Sequence, residues 1–275
     1  MQVRSEVTYR YDGSFEGLLC CVFESYDKKE IPADILLDAA PAGLLFRDRT
    51  IVTESDKAQR VLASIPQKMG RDALFFIRQA FLTCLPQKEV QLLRFMRLGY
   101  QHGPAVLQML TDETVSRLMK AVRHLERESH LLKGFIRFSI TDNVLTAQIE
   151  AKNIVLPLLA EHFCQRFPEE RFLIHDRSHG MALIYQPYRP MIIAVDEWEM
   201  PQADETELAY RKLWRLFYDS IEIKARHNPR CRMTQMPKRY WKYMTEFAAE
   251  NSAPQREIGE RKKMNAQRLL PPSQA

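Results

Sequence analysis

The sequence contains few cysteines, and those few show no paired pattern. Cys20, Cys21, Cys84, Cys164 and Cys231 are scattered along 275 residues. Their odd number and irregular spacing argue against a disulfide framework and favour a reducing, cytoplasmic location. They also lack the paired spacing of a zinc site and the clustered triplet that holds an iron–sulfur cluster. The sequence therefore predicts no metal site and no cofactor.

Long apolar runs and the common phosphate-binding and nucleophile motifs are absent as well. No stretch of about 18 uncharged apolar residues occurs, which predicts that the chain does not span a membrane. The start, Met1–Arg4, lacks the apolar run of a signal peptide. There is no Walker sequence, no G-x-G-x-x-G and no G-x-S-x-G, so no motif identifies a reaction.

The stretch from Lys133 to Val195 changes its hydrophobic period twice. Apolar residues alternate over 134–140 and 145–149 around a polar turn at 141–143, which predicts two antiparallel strands with one solvated face. Residues 154–167 then repeat at helical spacing, and three more apolar runs follow. We expect an α+β fold, with a mostly antiparallel sheet of about five strands over residues 133–195, packed with N-terminal and C-terminal helices.

The segments on either side of this stretch are mainly helical in pattern. Strands are predicted at Val7–Tyr11 and Leu44–Phe46, with a connection over Pro32–Pro41. Helices are predicted at about 15–29, from 53 or 55, and at about 71–84, 87–100, 112–131, 208–225 and 238–248. The inward face of the helix at 208–225 would consist of Leu213, Trp214, Phe217 and Ile221.

These elements are expected to form one domain over residues 1–248. It would comprise a helical part at 14–131, the sheet at 133–195 and C-terminal helices at 204–248. Residues 249–275 contain three prolines and little apolar content, which predicts a disordered tail.

Positive charge is concentrated near the C-terminus. The net charge of the whole sequence is +5, but residues 224–275 hold 12 basic and 4 acidic residues, a local net charge of +8. Tyr240, Trp241 and Tyr243 interleave with this charge, a combination that suits unpaired or distorted nucleic acid. The alternative is that the aromatic residues belong to the core and the charges face water. The candidate binding residues are Lys224, Arg226, Arg230, Arg232, Lys238, Arg239 and Lys242.

A second group of basic residues follows one flank of the predicted helix 112–131. Lys120, Arg123, Arg127 and His130 fall on one side at 100° per residue, and Lys133 comes just after. This flank is either a solvated helix face or a basic surface for phosphates, and both interpretations remain open.

Four residues are candidates for catalysis: His130, Arg137, His175 and Asp176. A histidine beside a carboxylate can act as a general base, because its pKa lies near working pH. His175 and Asp176 end a predicted strand, next to a turn that contains His179. The structural alternative is that the pair has no common function, since adjacent strand residues point to opposite faces.

Five blocks of the sequence share one resemblance. They are Tyr11–Leu19 (YDGSFEGLL), His130 with Lys133–Phe138, Leu156–Phe163, Arg166–Asp176, and Ser220–Tyr243 with its MPKRYWKY ending. In this order they resemble an uncharacterised bacterial family connected with DNA metabolism and DNA repair. The resemblance spans residues 8–248.

The resemblance implies partners rather than a mechanism. Members of the family accompany a radical-SAM protein thought to modify or repair DNA, and some are fused to a uracil-DNA-glycosylase-like domain. The sequence lacks the cysteine triplet of a radical-SAM enzyme, so a separate partner would supply that chemistry.

Three functional hypotheses follow from the residues and the resemblance. The first is a DNA-binding accessory protein of repair, which takes single-stranded or damaged DNA in preference to intact duplex. The second is an enzyme in its own right, a nuclease or base-excising hydrolase. The third is a protein-interaction module whose basic end binds an acidic partner.

Overall fold

The computed structural model describes residues 7–40, 47–195, 198–200, 203–223 and 226–247. The chain divides into two compact units, the first ending at Leu125 and the second beginning at Glu126. The single domain expected over residues 1–248 stays a prediction, because compactness does not tell whether the units fold together. The strand predicted at Leu44–Phe46 and the tail predicted at 249–275 lie outside the described residues.

The first unit contains a three-stranded parallel sheet. Strand β1 (Val7–Tyr11) lies in the middle, with β2 (Asp34–Leu37) on one side and β3 (Arg47–Thr50) on the other. The strand predicted at Val7–Tyr11 is therefore present, but the connection predicted at Pro32–Pro41 contains β2. That prediction was wrong because β2 buries only Ile35 and so has no alternating pattern to reveal it.

Helices surround this sheet and enclose a continuous apolar core. They are α1 (Phe15–Asp27), α2 (Ser55–Met69), α3 (Arg71–Phe81), α4 (Lys88–His102), a 3-10 helix at Gly103–Gln108 and the first part of α5 (Glu113–Phe135). Ser14 begins α1 by accepting a hydrogen bond from the Gly17 backbone, as an N-cap serine does. Gly99 of α4 allows close packing of α2, since a Cβ there would lie 1.9 Å from Met69 Cε.

The second unit contains the predicted five-stranded sheet, in the order β4-β5-β6-β7-β8. Its strands are β4 (Ser139–Thr141), β5 (Val144–Ile149), β6 (Phe172–Asp176), β7 (Met181–Gln186) and β8 (Arg189–Ala194). Only β5 and β6 pair in parallel, and the helix between them is α6 (Leu156–Arg166). The expected α+β fold with a mostly antiparallel sheet is thus confirmed.

The start of this sheet differs from the prediction. Helix α5 continues to Phe135, four residues past its predicted end, and β4 begins only at Ser139. Burial of Leu132 and contact between the rings of Phe135 and Tyr240, at 5.5 Å, extend the helix. Tertiary packing therefore overrides the short alternating pattern at 134–138.

The C-terminal part of the second unit consists of α7 (Glu205–Ile221), α8 (Pro229–Gln235) and a 3-10 helix at Lys238–Tyr243. The helix predicted at about 238–248 is present in part, as a 3-10 helix over 238–243, and residue 248 lies outside the described residues. The inward face predicted for α7 was wrong, since none of its 17 residues is buried. Asn228 and Pro229 begin α8, with the Asn228 side chain accepting from the Cys231 backbone. Of the helices described, none combines the length and apolar character needed to cross a bilayer.

Candidate functional site

The basic row on helix α5 is exposed as expected. Lys120, Arg123, Arg127 and His130 are all exposed, and none of them forms an ion pair with another described residue. Elsewhere exposed arginines do pair within a helix, as Arg117 does with Glu113. Lys133, one turn after the row, is half-buried. The α5 row therefore displays positive charge that the described chain does not neutralise.

The basic residues of the C-terminal segment are of two kinds, those that contact other side chains of the protein and those that are exposed without an ion pair. Arg239 and Lys242 pair with Glu128 and Glu150, at 3.0 and 2.8 Å. The Arg232 guanidinium lies 5.1 Å from the centre of the Trp241 ring. Arg226, Arg230 and Lys238 are exposed and form no ion pair with a described residue, Arg239 is exposed but bound to Glu128, and Lys224 lies outside the described residues.

Glu128 on α5 is the centre of a buried polar cluster. Its side chain is 1% exposed and accepts hydrogen bonds from the backbones of Lys152 and Asn153, at 3.1 and 2.9 Å. The Asn153 amide donates at 2.6 Å, and Arg239 and the Tyr240 hydroxyl complete the set. Burial raises the pKa of Glu128, but these hydrogen bonds and the Arg239 charge outweigh burial and leave the pKa below its usual value.

Two further glutamates hold the same C-terminal segment. Glu150 accepts from Lys242 and from the Tyr243 hydroxyl, at 2.8 and 2.6 Å. Glu246 accepts two hydrogen bonds from the Arg137 guanidinium, at 2.7 and 3.2 Å. In both cases burial raises the pKa of the carboxyl. The hydrogen bonds and the charge of the basic partner lower it by more, so the net shift of the pKa is downward. We call Glu128, Glu150 and Glu246 the acidic anchor.

The aromatic residues of the segment belong mainly to the core. Tyr240 and Trp241 are 4% and 5% exposed, which confirms for these two rings the alternative that the aromatic residues belong to the core. The Trp241 ring stacks on Phe247 at 4.5 Å, and its Nε1 donates to the Met236 carbonyl at 2.9 Å. Tyr243 is half-buried through its bond to Glu150. The two buried rings are therefore not available to stack on bases.

The four catalytic candidates have separate surroundings. His130 is exposed on α5, and Arg137 is bound to Glu246. His175 is buried, with its Nδ1 3.3 Å from the Gln148 amide nitrogen and its ring near Trp198, and burial lowers its pKa. Within the described residues, Asp176 accepts a hydrogen bond from the Ser178 backbone and contacts His179, and it contacts neither His130 nor Arg137.

Asp176 and His179 form a dyad that the sequence interpretation missed. The Asp176 carboxylate is 1% exposed and lies 2.6 Å from His179 Nδ1, while the His179 side chain is 22% exposed. A carboxylate on Nδ1 fixes the imidazole and directs its other nitrogen outward, as in a general base. The spacing D-x-x-H across a hairpin turn could have indicated this pair. Because His175 lies next to Asp176 in the sequence, the sequence interpretation named His175 as the catalytic histidine instead.

The dyad lies at the end of the sheet where Glu150 of the acidic anchor also lies. Ile149, Asp176, Met181 and Ala194 are successive partners across β5 to β8, so Glu150 and Arg177 follow their strands at this same end. Arg177 Nη1 lies 3.5 Å from Glu150 Oε1. In the part of the chain that the structure describes, no group of three or more His, Cys, Asp or Glu side chains is arranged to hold a metal ion.

The fold and these sites define an α+β protein with an uncompensated basic helix flank and a C-terminal segment fixed by ion pairs of Glu128, Glu150 and Glu246. The family described as a domain of unknown function (DUF4130) matches residues 86–246. This match covers more than half of the sequence, and the chain belongs to that family. No curated protein matches the sequence. The matched range includes the α5 row, the dyad and the acidic anchor.

Proposed function

We propose that this protein is a DNA-binding accessory factor that presents single-stranded or damaged DNA to a partner enzyme of DNA repair. The observation that carries the proposal is the α5 row, in which Lys120, Arg123, Arg127 and His130 are exposed and make no ion pair with described residues. Cations that lack an internal partner neutralise phosphates and release counterions, which drives sequence-independent binding.

The length of the row fits a short run of phosphates. Ten residue steps separate Lys120 from His130, a rise of about 15 Å along a helix. Along a damaged duplex, one strand has a phosphate roughly every 3.4 Å of axis, so about four phosphates of such a duplex lie within this length. The exposed Arg226, Arg230 and Lys238 add positive charge in the second unit.

The identity of the partner rests on the sequence resemblance. That resemblance favours a radical-SAM protein of DNA repair or modification, with a uracil-DNA-glycosylase-like protein as a further partner. Because the chain has no cysteine triplet for an iron–sulfur cluster, the redox chemistry would belong to the partner. Coprecipitation of the partner with the full chain tests this part of the proposal.

Reversing the charge of the α5 row should weaken DNA binding strongly. The triple variant K120E/R123E/R127E is expected to bind a single-stranded oligonucleotide at least tenfold more weakly at low salt. The slope of log affinity against log salt should fall by about 2, because each lost phosphate contact removes about 0.7. Fluorescence anisotropy over a series of salt concentrations measures both quantities.

The matched control is K68E/R71E/R78E, which makes the same change in net charge at exposed residues of α2 and α3. It should keep most of the affinity if binding is local to the α5 row. Equal loss in both variants, or no loss in either, would contradict the proposed surface. A third variant, R226E/R230E/K238E, tests the C-terminal segment without touching Arg232 or Arg239, whose internal contacts support the fold.

A second candidate function is hydrolysis of DNA, which the Asp176–His179 dyad favours. The imidazole would take a proton from water as it attacks a phosphodiester or N-glycosidic bond, while Asp176 holds the ring. If the purified protein cleaves damaged DNA, with or without divalent metal, His179→Asn should lower the rate by about 10²–10⁴-fold. His102→Asn, at an exposed histidine of the first unit, is the control, and equal rates in His179→Asn and the parent protein would exclude the dyad as the base.

A further inference from the structure

A cavity of about 370 Å³ opens in the first unit where α1, α2 and α4 meet. Three aromatic side chains, those of Phe23, Tyr26 and Tyr100, line it together with the buried Val22 and Val61. Small-molecule sites are concave, mainly apolar and about 300–1,000 Å³ in volume, with a few polar groups that orient the ligand. The cavity therefore has the size and lining of a site for one small molecule, and none of its lining residues belongs to the α5 row.

Two of the three rings already carry a cation of the protein on one face. The Arg97 guanidinium lies 4.4 Å from the centre of the Tyr26 ring, and the Arg60 guanidinium lies 5.1 Å from the centre of the Phe23 ring. Arg97 is 9% exposed and does not line the cavity, so it covers the side of Tyr26 that faces away from it. A second cation on these rings would be repelled by the first, which disfavours a quaternary ammonium ligand despite the aromatic lining.

Both arginines lack an acidic partner within the described ranges. Neither Arg60 nor Arg97 forms an ion pair there. Arg97 donates to Ser25 Oγ at 3.2 Å, while its buried Nε has no acceptor among the described residues. The carboxylate that lines the cavity, Asp27, is bound instead by Lys28 at 3.0 Å. The positive charge around the cavity therefore favours an anionic ligand, because a cation without a carboxylate partner gains most from an anion.

The two hydroxyl groups of the lining present an acceptor to a ligand. Ser64 Oγ donates to the Val61 carbonyl at 2.7 Å and lies 2.7 Å from the Tyr100 hydroxyl oxygen. Because the single Ser64 proton is used on Val61, Tyr100 donates to Ser64 and keeps only lone pairs for a ligand. Burial raises the pKa of Tyr100, so this proton stays in place at neutral pH. A ligand that reaches Tyr100 should therefore offer an N–H group.

We propose that the cavity binds a nucleoside monophosphate. The base would stack on the open side of Tyr26, which accepts any planar ring system. An N–H group on the edge of the base would donate to Tyr100. The phosphate would pair with Arg60, whose side chain is exposed at the cavity. A cavity of this volume holds one nucleotide and not a strand, so the ligand is a free monophosphate.

Calorimetric titration of the full chain with AMP at low salt tests the proposal. The expected dissociation constant lies between about 10 µM and 1 mM, a range that follows from the number of atoms in the ligand. Adenosine lacks the phosphate and ribose 5-phosphate lacks the base. Each of these two compounds should bind at least about tenfold more weakly than AMP.

Two variants separate the contacts of the phosphate from those of the base. Arg60→Ala should weaken AMP binding about tenfold and leave the affinity for adenosine unchanged, because it removes the phosphate contact alone. Tyr26→Leu should weaken the binding of both compounds at least about fivefold, since it keeps an apolar side chain but no ring for stacking. Matched controls are Arg78→Ala and Phe75→Leu, at exposed residues of α3, which should keep the affinity of the parent protein. Circular dichroism establishes that each variant is folded.

Three outcomes would overturn the assignment of the ligand. The first is the absence of AMP binding at concentrations up to about 5 mM. The second is tighter binding of tetramethylammonium than of AMP, which would make the cavity a cation site. The third is equal affinity for AMP in the Arg60→Ala and Arg78→Ala proteins, which would exclude Arg60 as the phosphate contact.

The charge-reversed variant K120E/R123E/R127E separates this site from the DNA surface proposed above. It should bind AMP as the parent protein does. Loss of AMP binding in this variant, with binding retained in Tyr26→Leu, would place the nucleotide on the α5 row and overturn the cavity site. Displacement of AMP from this variant by a 5′-phosphorylated oligonucleotide would show that the cavity takes the end of a strand and not a free monophosphate.

Discussion

Replacing Glu128 with alanine should lower the free energy of unfolding of the second unit by about 3–5 kcal/mol. The change removes a carboxylate that is 1% exposed and that accepts from two backbone N–H groups, from the Asn153 amide and from Arg239. The three tryptophans of the sequence are Trp198, Trp214 and Trp241, so urea titration followed by tryptophan fluorescence reports on the second unit.

The matched control is Glu170→Ala, which removes an exposed glutamate from the same unit and should change stability by less than about 0.5 kcal/mol. Equal midpoints for Glu128→Ala and the parent protein at pH 7 would show that the buried cluster does not stabilise the unit.

The same carboxylate should make the second unit sensitive to acid. The pKa of Glu128 is lower in the folded state than in the unfolded chain, where a glutamate titrates near about 4.3. Its contribution is therefore complete above that pH and is lost as pH falls through the lower, folded value. The pKa values of Glu150 and Glu246 are also lowered in the folded state, so their contributions to stability are lost in the same direction of pH. Stability of the parent protein should fall steeply below about pH 4, and Glu128→Gln should reduce that slope.

Replacing Trp241 with alanine should cost about 3–5 kcal/mol of stability, because truncating a buried tryptophan leaves a cavity. The ring packs on Phe247, lies 5.1 Å from the Arg232 guanidinium and donates a hydrogen bond to the Met236 carbonyl. The substitution removes all three contacts. Since this loss also removes a fluorophore, thermal unfolding followed by circular dichroism is the suitable measurement.

Phe75→Ala, at a residue that is 65% exposed in the first unit, is the control for loss of an aromatic ring. In the folded Trp241→Ala protein, the salt slope of single-strand binding should be unchanged, because no phosphate contact is lost. If instead the melting temperature is unchanged and single-strand affinity falls, Trp241 stacks on a base and the core assignment is wrong.

Local periodicity predicted the helices and strands whose hydrophobic pattern is visible in their own sequence. The helical spacing of α5 and the apolar runs of β6 and β7 were sufficient to place these elements. Strands β2 and β3 could not be found this way, because β3 is the charged run RDRT and β2 buries one residue. Both strands form only through pairing with β1, a contact that the local sequence does not encode.

The candidate surface was predictable only where a side chain has no partner. Exposure of the α5 row follows from helix geometry alone. The ion pairs of Arg239 and Lys242 do not follow from helix geometry, because their partners, Glu128 and Glu150, lie about 110 and 90 residues away in sequence. For α7, amphipathic spacing identified the apolar side correctly but not whether anything in the chain covers it.

The distance in sequence between the acidic anchor and its partners has a consequence for biosynthesis. Tyr240 follows Glu128 by 112 residues, which a ribosome adds in about 6–22 s at 5–20 residues per second. Throughout that interval Glu128 is without the cation that offsets its burial. The sheet of β1 to β3 can complete its pairing on the nascent chain, whereas the cluster around Glu128 must wait for Arg239 and Tyr240.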